Sequence, residues 1–175
     1  PYSSAASDVY KRQTLDTPER VKRIDIESAE EMKEHVTANL SDIDLFISTA
    51  AVADFKMKNA EPQKIKKGQS KNMSLSLEKN EDILKHVSDN NPDLKIVGFA
   101  AETENMIDNA RKKLSSKNLN LIVANDVSDS SIGFDSNNNE VTLITEKEEL
   151  KIPRTSKEKV ARKIVQFISK NILND

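Results

Sequence analysis

The chain has 175 residues, 36% apolar and 32% charged, and is long enough for one domain burying roughly two-thirds of the surface it exposes when unfolded. With 27 basic and 29 acidic residues its net charge is −2, so no global field draws it to nucleic acid or to a membrane surface. It has no cysteine, which excludes disulfides, thiolate metal sites and a cysteine nucleophile, and no apolar run approaches the roughly 20 residues of a membrane span. A cytoplasmic location is expected.

Residues 1–13 (PYSSAASDVYKRQ) differ from the rest of the chain, holding both tyrosines and none of the asparagines. The run DVYKRQ resembles a translated sequencing adapter, so residues 1–13 are set aside as a non-native or disordered leader. Residues 14–175 form the domain proper, and the natural protein is expected to extend further upstream.

Residues 21–26 (VKRIDI) alternate and are β-branched, which predicts a half-buried strand. Ser28 followed by Glu31 is a capping box opening a helix with Met32, Val36 and Leu40 on one side. Residues 44–49 (DLFIST) read as a strand of the kind that sits centrally in a parallel sheet. Residues 50–72 read as irregular, and residues 73–79 (MSLSLEK) as a strand. Asn80 is placed to cap a helix carrying Ile83, Leu84 and Val87.

Residues 94–100 (LKIVGFA) and 119–125 (LNLIVAN) are predicted strands, separated by a helix over 104–115. Turn residues at 135–139 precede a hairpin of 140–145 with 149–152, and a last helix runs over 155–172. The alternation predicts an α/β fold, Rossmann-like and three-layered, with a mostly parallel sheet and an antiparallel edge hairpin.

Gly68, Gly98 and Gly133 are the only glycines, thirty and thirty-five residues apart. Neither a dinucleotide turn nor a P-loop can be built from that spacing, which removes the glycine fingerprint a nicotinamide-dependent oxidoreductase needs. Any nucleotide must be held by side chains and helix ends. Candidates gather where ligands meet open α/β sheets, past the strand ends. Ser48, Thr49 and Ala50 open a small-residue segment that ends at Asp54, a carboxylate suited to a ribose, a base or a metal; it reads equally as an alanine-rich turn. Lys64, Lys66 and Lys67 could close over polyphosphate or be a solvated loop. Lys113 and Lys117, one helical turn apart, can face one anion, and each alone reads as a surface cation. His35 and His86 have no partner at metal-ligand spacing, and basic residues do not interleave with aromatics as nucleic-acid binding would require.

AAVADF at 50–55, QKIKK at 63–67, EKNEDI at 78–83, VGFAAET at 97–103 and IVANDVS at 122–128, then Gly133 and Phe134, form an ordered set. The set resembles bacterial phosphopantothenate–cysteine ligase, the synthetase domain often fused behind a flavin-dependent decarboxylase, over residues 14–175. The resemblance implies a two-step ligation: CTP activates 4′-phosphopantothenate as an acyl-cytidylate, and the amine of L-cysteine displaces CMP. It implies magnesium with the triphosphate, FMN only in a possible upstream decarboxylase domain, and a homodimer.

By the same resemblance Ser48, Thr49, Ala50 and Asp54 contact CTP, and Lys64 stabilises the activated phosphate. Asn80, Glu81, Asp82 and Ile83 line the nucleotide site, Phe99 lies beside the nucleotide, and Lys113 and Lys117 are helix-borne cations. Asn125 and Asp126 lie in a shared motif without an assigned role, and the magnesium ligands are unknown. Two departures stand out. Glu81 replaces the family's usual proline, which keeps a good helix start but sets an acid near the triphosphate. A glycine-containing strand–turn–helix that opens the family's domain is not in this sequence, so the first βαβ unit is expected to be missing. The alternative is a catalytically incomplete nucleotide-binding or dimerisation remnant of that ligase.

Overall fold

The computed structural model describes residues 16–58, 74–126 and 137–173. The chain divides into two compact units, one of Pro1–Ala38 with Ala51–Asp82 and one of Asn39–Ala50 with Ile83–Asp175.

The first unit holds helix α1 (Ala29–Ala38) and a two-stranded antiparallel sheet of β2 (Phe55–Met57) and β3 (Leu77–Lys79). The capping box at the start of α1 forms: the Glu31 N–H donates to Ser28 Oγ at 3.1 Å. The Glu31 carboxylate reaches back to the Glu27 N–H at 2.8 Å, one residue earlier than the standard box would place it. Residues 21–26 are not a strand, contrary to their alternation. A strand exists through its ladder, and no described segment pairs with them.

The β2–β3 pair lies partly inside the stretch read as irregular. Phe55 pairs with Lys79, Lys56 with Glu78 and Met57 with Leu77. One face carries the exposed side chains of Phe55, Met57 and Leu77. On the other, Lys56 lies 3.6 Å from Glu78 and 3.4 Å from Glu30 of α1.

The second unit is a five-stranded sheet in the order β1 (Leu45–Ser48), β4 (Lys95–Glu102), β5 (Leu121–Asp126), β6 (Asn138–Ile144) and β7 (Glu149–Ser156). Pairings β1–β4 and β4–β5 are parallel, whereas β5–β6 and β6–β7 are antiparallel. Four of the five strands therefore run one way, and the mostly parallel α/β sheet with an antiparallel edge hairpin is as the sequence predicts. The position of β1 is not. Among the described residues it pairs on one side only, so the apolar run expected at the centre is an edge strand with Ile47 exposed.

Helices α2 (Ile83–Asn90), α3 (Met106–Ser116) and α4 (Lys157–Asn171) flank this sheet. Val160, Ile164, Phe167 and Ile168 of α4 recur at helical spacing and pack on Val97, Leu121, Val123, Val141, Leu143 and Ile152. The alternate residues Ile96, Ile122, Ala124 and Ile144 are buried too, so both faces of the central strands are covered. Gly98 allows the close fit on the second face. A Cβ there would lie 2.8 Å from Leu119 Cδ1 and 3.1 Å from Leu84 Cδ2 of α2. Pro153 sits on edge strand β7, where the register slips opposite residues 139–141 and no ladder bond is required of it.

Candidate functional site

The assigned residues divide between the two units. Ser48, Thr49, Ala50, Ile83, Phe99, Lys113 and Lys117 belong to the second, and Asp54, Asn80, Glu81 and Asp82 to the first. Lys64 lies outside the described residues, as do Lys66 and Lys67.

In the second unit, the parallel strands β1, β4 and β5 end along the same edge of the sheet, the edge where open α/β sheets take ligands. Ser48 is the last residue of β1 and pairs with Gly98; Thr49 and Ala50 follow it directly. Phe99 is 36% exposed, and its strand neighbour Val97 pairs with Ile47, which is 39% exposed. Ile47 and Phe99 thus share one sheet face and leave an apolar surface near the end of β1, midway along β4. Ile83, the first residue of α2, is buried in the core and contributes packing rather than a polar contact.

Beyond β4 the chain turns sharply. Asn105 takes a left-handed backbone, φ 47°, and α3 begins at the next residue. α3 then packs on the sheet against β5 and β4, and Lys113 Nζ lies 2.5 Å from Glu102 Oε1. The other Glu102 oxygen accepts from Asn109 Nδ2 at 3.4 Å. Lys117 is the C-cap of α3, and its N–H donates to the Lys113 carbonyl. Glu102 is the residue that sequence reasoning missed. It lies within a quoted motif, yet no spacing rule links a strand end to a helix position eleven residues on.

In the first unit, Asn80 ties the segment before β2 to the end of β3. Its N–H donates to the Asp54 carbonyl at 2.8 Å, and its Nδ2 donates to the Ala53 carbonyl at 2.7 Å. The expected helix cap is corrected by position: the helix begins at Ile83, so Asn80 stands three residues before it rather than at its cap, and its side-chain amide donates to residue 53. Asp54 keeps an exposed carboxylate while its main chain is held. Glu81 is paired, with Lys33 Nζ 2.5 Å away, so its negative charge is largely balanced within this unit. Asp82 is exposed.

Asn125 Oδ1 is buried without a hydrogen-bond partner near the end of β5, one position before Asp126. Among the described residues no group of three histidine, cysteine, aspartate or glutamate side chains could hold a metal ion. A polar cleft of about 490 Å3 lies at the opposite, amino-terminal end of β4 and β5, lined in part by Lys95, Asn120, Lys147 and Lys170. It contains none of the assigned residues. Of the assigned residues, Lys117 comes nearest in sequence to it, directly before Asn118 of its lining.

Residues 7–172 match the model of the DNA/pantothenate metabolism flavoprotein C-terminal domain. The chain belongs to this family. It is 43% identical over 159 residues to the coenzyme A biosynthesis bifunctional protein CoaBC of Vibrio vulnificus, covering 89% of this chain and 39% of that protein. The protein of the same name from Bacillus subtilis is 40% identical over 158 residues, with 89% and 39% covered. The chain thus spans about 39% of the length of the curated relatives it matches. A crystal structure of the C-terminal domain of CoaBC superposes with a TM-score of 0.75 at 34% identity, covering 93% of this chain and 71% of that one. A DNA/pantothenate metabolism flavoprotein from Streptococcus pneumoniae shares the fold, with a TM-score of 0.68 at 18% identity over 94% of this chain and 84% of that one. Among the described residues, no helix is long and apolar enough to cross a membrane.

Proposed function

We propose that this chain is the ligase part of a coenzyme A biosynthesis protein and joins 4′-phosphopantothenate to L-cysteine at the expense of CTP. One observation carries the reading: in a member of this family, Ser48 ends β1 beside Gly98 and the half-open Phe99 of β4, and Glu102, which ends β4, is paired with Lys113 of α3. A small-residue strand end admits a ligand closely, a half-open phenylalanine offers a stacking face for a base, and an ammonium offers charge for phosphate.

In the first step a carboxylate oxygen of 4′-phosphopantothenate attacks the α-phosphorus of CTP, and pyrophosphate leaves. The amine of cysteine then attacks the acyl carbon, CMP departs, and the amine loses a proton as the amide forms. The first step crowds a carboxylate, a triphosphate and a substrate phosphate, and clustered cations offset that charge. Lys113 supplies such a charge within the second unit, and Lys64 and Lys117 are assigned the same role by the motifs they share with the family. Magnesium comes with the triphosphate. An ion that retains phosphate and water oxygens needs only one or two carboxylates from the protein.

The protein works as a homodimer in this reading. The exposed apolar side of the β2–β3 sheet, with Phe55, Met57 and Leu77, supports an association that would cover it. A first test is thermal: CTP with magnesium raises the melting temperature of the chain, and NADH leaves it unchanged. A response to NADH alone would count against the ligase and for a nicotinamide enzyme.

A further inference from the structure

We infer that Glu102 is a positioning residue for Lys113, holding its ammonium ready for the triphosphate of the nucleotide. The inference rests on the ligase reading above, in which Lys113 meets that triphosphate. Three observations carry it.

The first is the asymmetry of the pair. The Glu102 side chain is 14% exposed and that of Lys113 is 46% exposed, so the carboxylate is recessed and the cation faces solvent. Lys85 and Asp89 form an ordinary surface pair on α2 with both partners open, at 42% and 54%. An ammonium has three donors. One is used by Glu102, and two stay available to an incoming anion.

The second is that the carboxylate is itself fixed. Asn109 Nδ2 donates to Glu102 Oε2 and, at 3.0 Å, to the Glu104 carbonyl, while the Asn109 N–H donates to the Asn105 carbonyl. The turn from β4 into α3 and the Glu102 side chain are thereby one hydrogen-bonded piece. The third is place, because Glu102 is the last residue of β4, at the sheet edge where ligands gather. A lysine alone samples many rotamers and loses that freedom when it binds phosphate. Pinning it beforehand removes much of that loss, which is how preorganised sites gain affinity.

The test is a double-mutant cycle on CTP binding, read by calorimetric titration with magnesium on the full 175-residue chain. Glu102→Gln is expected to weaken CTP about tenfold, and to weaken it by under about twofold when Lys113 is already alanine. Cytidine, which has no phosphate, is expected to bind both Glu102 forms alike. Asn109→Ala, which releases the second carboxylate oxygen, is expected to act in the same direction and again only with Lys113 present. This second variant decides the matter if Glu102→Gln does not fold. Equal losses with and without Lys113, or an equal loss for cytidine, would make Glu102 a merely structural residue and overturn the inference. Wild-type binding of CTP that neither variant alters would overturn it alone. No CTP binding by the wild-type chain would overturn the ligase reading and this inference with it.

Discussion

Asn80 holds the main chain at Asp54: its N–H meets the Asp54 carbonyl at 2.8 Å, and its side-chain amide meets the neighbouring Ala53 carbonyl at 2.7 Å. Both partners lie some 26 residues away in sequence, within a single compact unit. The clip fixes where the Asp54 carboxylate starts from without using that carboxylate. Asn80→Ala is expected to cost about 1 kcal/mol of stability, the usual net value of such a bond, and to reduce the thermal shift produced by CTP. Asn80→Asp keeps the size but lacks the donor, so it should fall with alanine. Denaturant melts of the two variants check this, and wild-type behaviour of Asn80→Asp would show that the side-chain bond contributes nothing.

A second clip joins the starts of two strands. Asn120 Oδ1 accepts from the Ile96 N–H at 2.7 Å, and the Asn120 N–H donates to the Ile96 carbonyl at 2.9 Å. Ile96 is almost fully buried, so its N–H has no water to turn to. Asn120→Ala is expected to destabilise the protein by about 1–3 kcal/mol, whereas Asn120→Asp, which retains an acceptor, should lose less. Urea unfolding with a common slope would read the difference.

Gly98 is required by the space around it. A methyl group there meets the ends of Leu119 and Leu84, both flexible, so Gly98→Ala should be tolerated at about 1–3 kcal/mol, and Gly98→Val should cost more. Thermal unfolding of the pair of variants tests the order. An alanine variant as stable as the wild type would show that the two leucines move aside freely.

The apolar side of the β2–β3 sheet supports a direct test of association. Phe55→Glu with Leu77→Glu is expected to shift the sedimentation profile from dimer to monomer while leaving far-UV circular dichroism unchanged. A wild-type chain that sediments as a monomer throughout the micromolar range would contradict the homodimer.

What the sequence disclosed depends on the length of each signal. Helix α4 was legible because Val160, Ile164, Phe167 and Ile168 repeat over fifteen residues, and β4 because its apolar run spans most of eight. The β2–β3 pair was only half visible. Phe55–Met57 is three residues long, too short to alternate, and its partner is set by pairing across some twenty intervening residues. Residues 21–26 alternate well, yet alternation states only which way side chains would point if a ladder formed. In the site, Phe99, Lys113 and the Ser48 strand end were named from the motifs they share with a family, whereas Glu102 and the work of Asn80 emerge only from three-dimensional pairing. The Glu81 substitution shows the same limit, since the balancing Lys33 lies forty-eight residues earlier.

The central claim is the ligation, and mass spectrometry of the products tests it most directly. Incubation of the protein with CTP, magnesium, 4′-phosphopantothenate and L-cysteine should yield the phosphopantothenoylcysteine amide together with equal amounts of CMP and pyrophosphate. Omitting cysteine should abolish the amide and CMP while leaving at most one pyrophosphate per active site. Formation of CDP and phosphate, or no amide under conditions where CTP binds, would contradict the account.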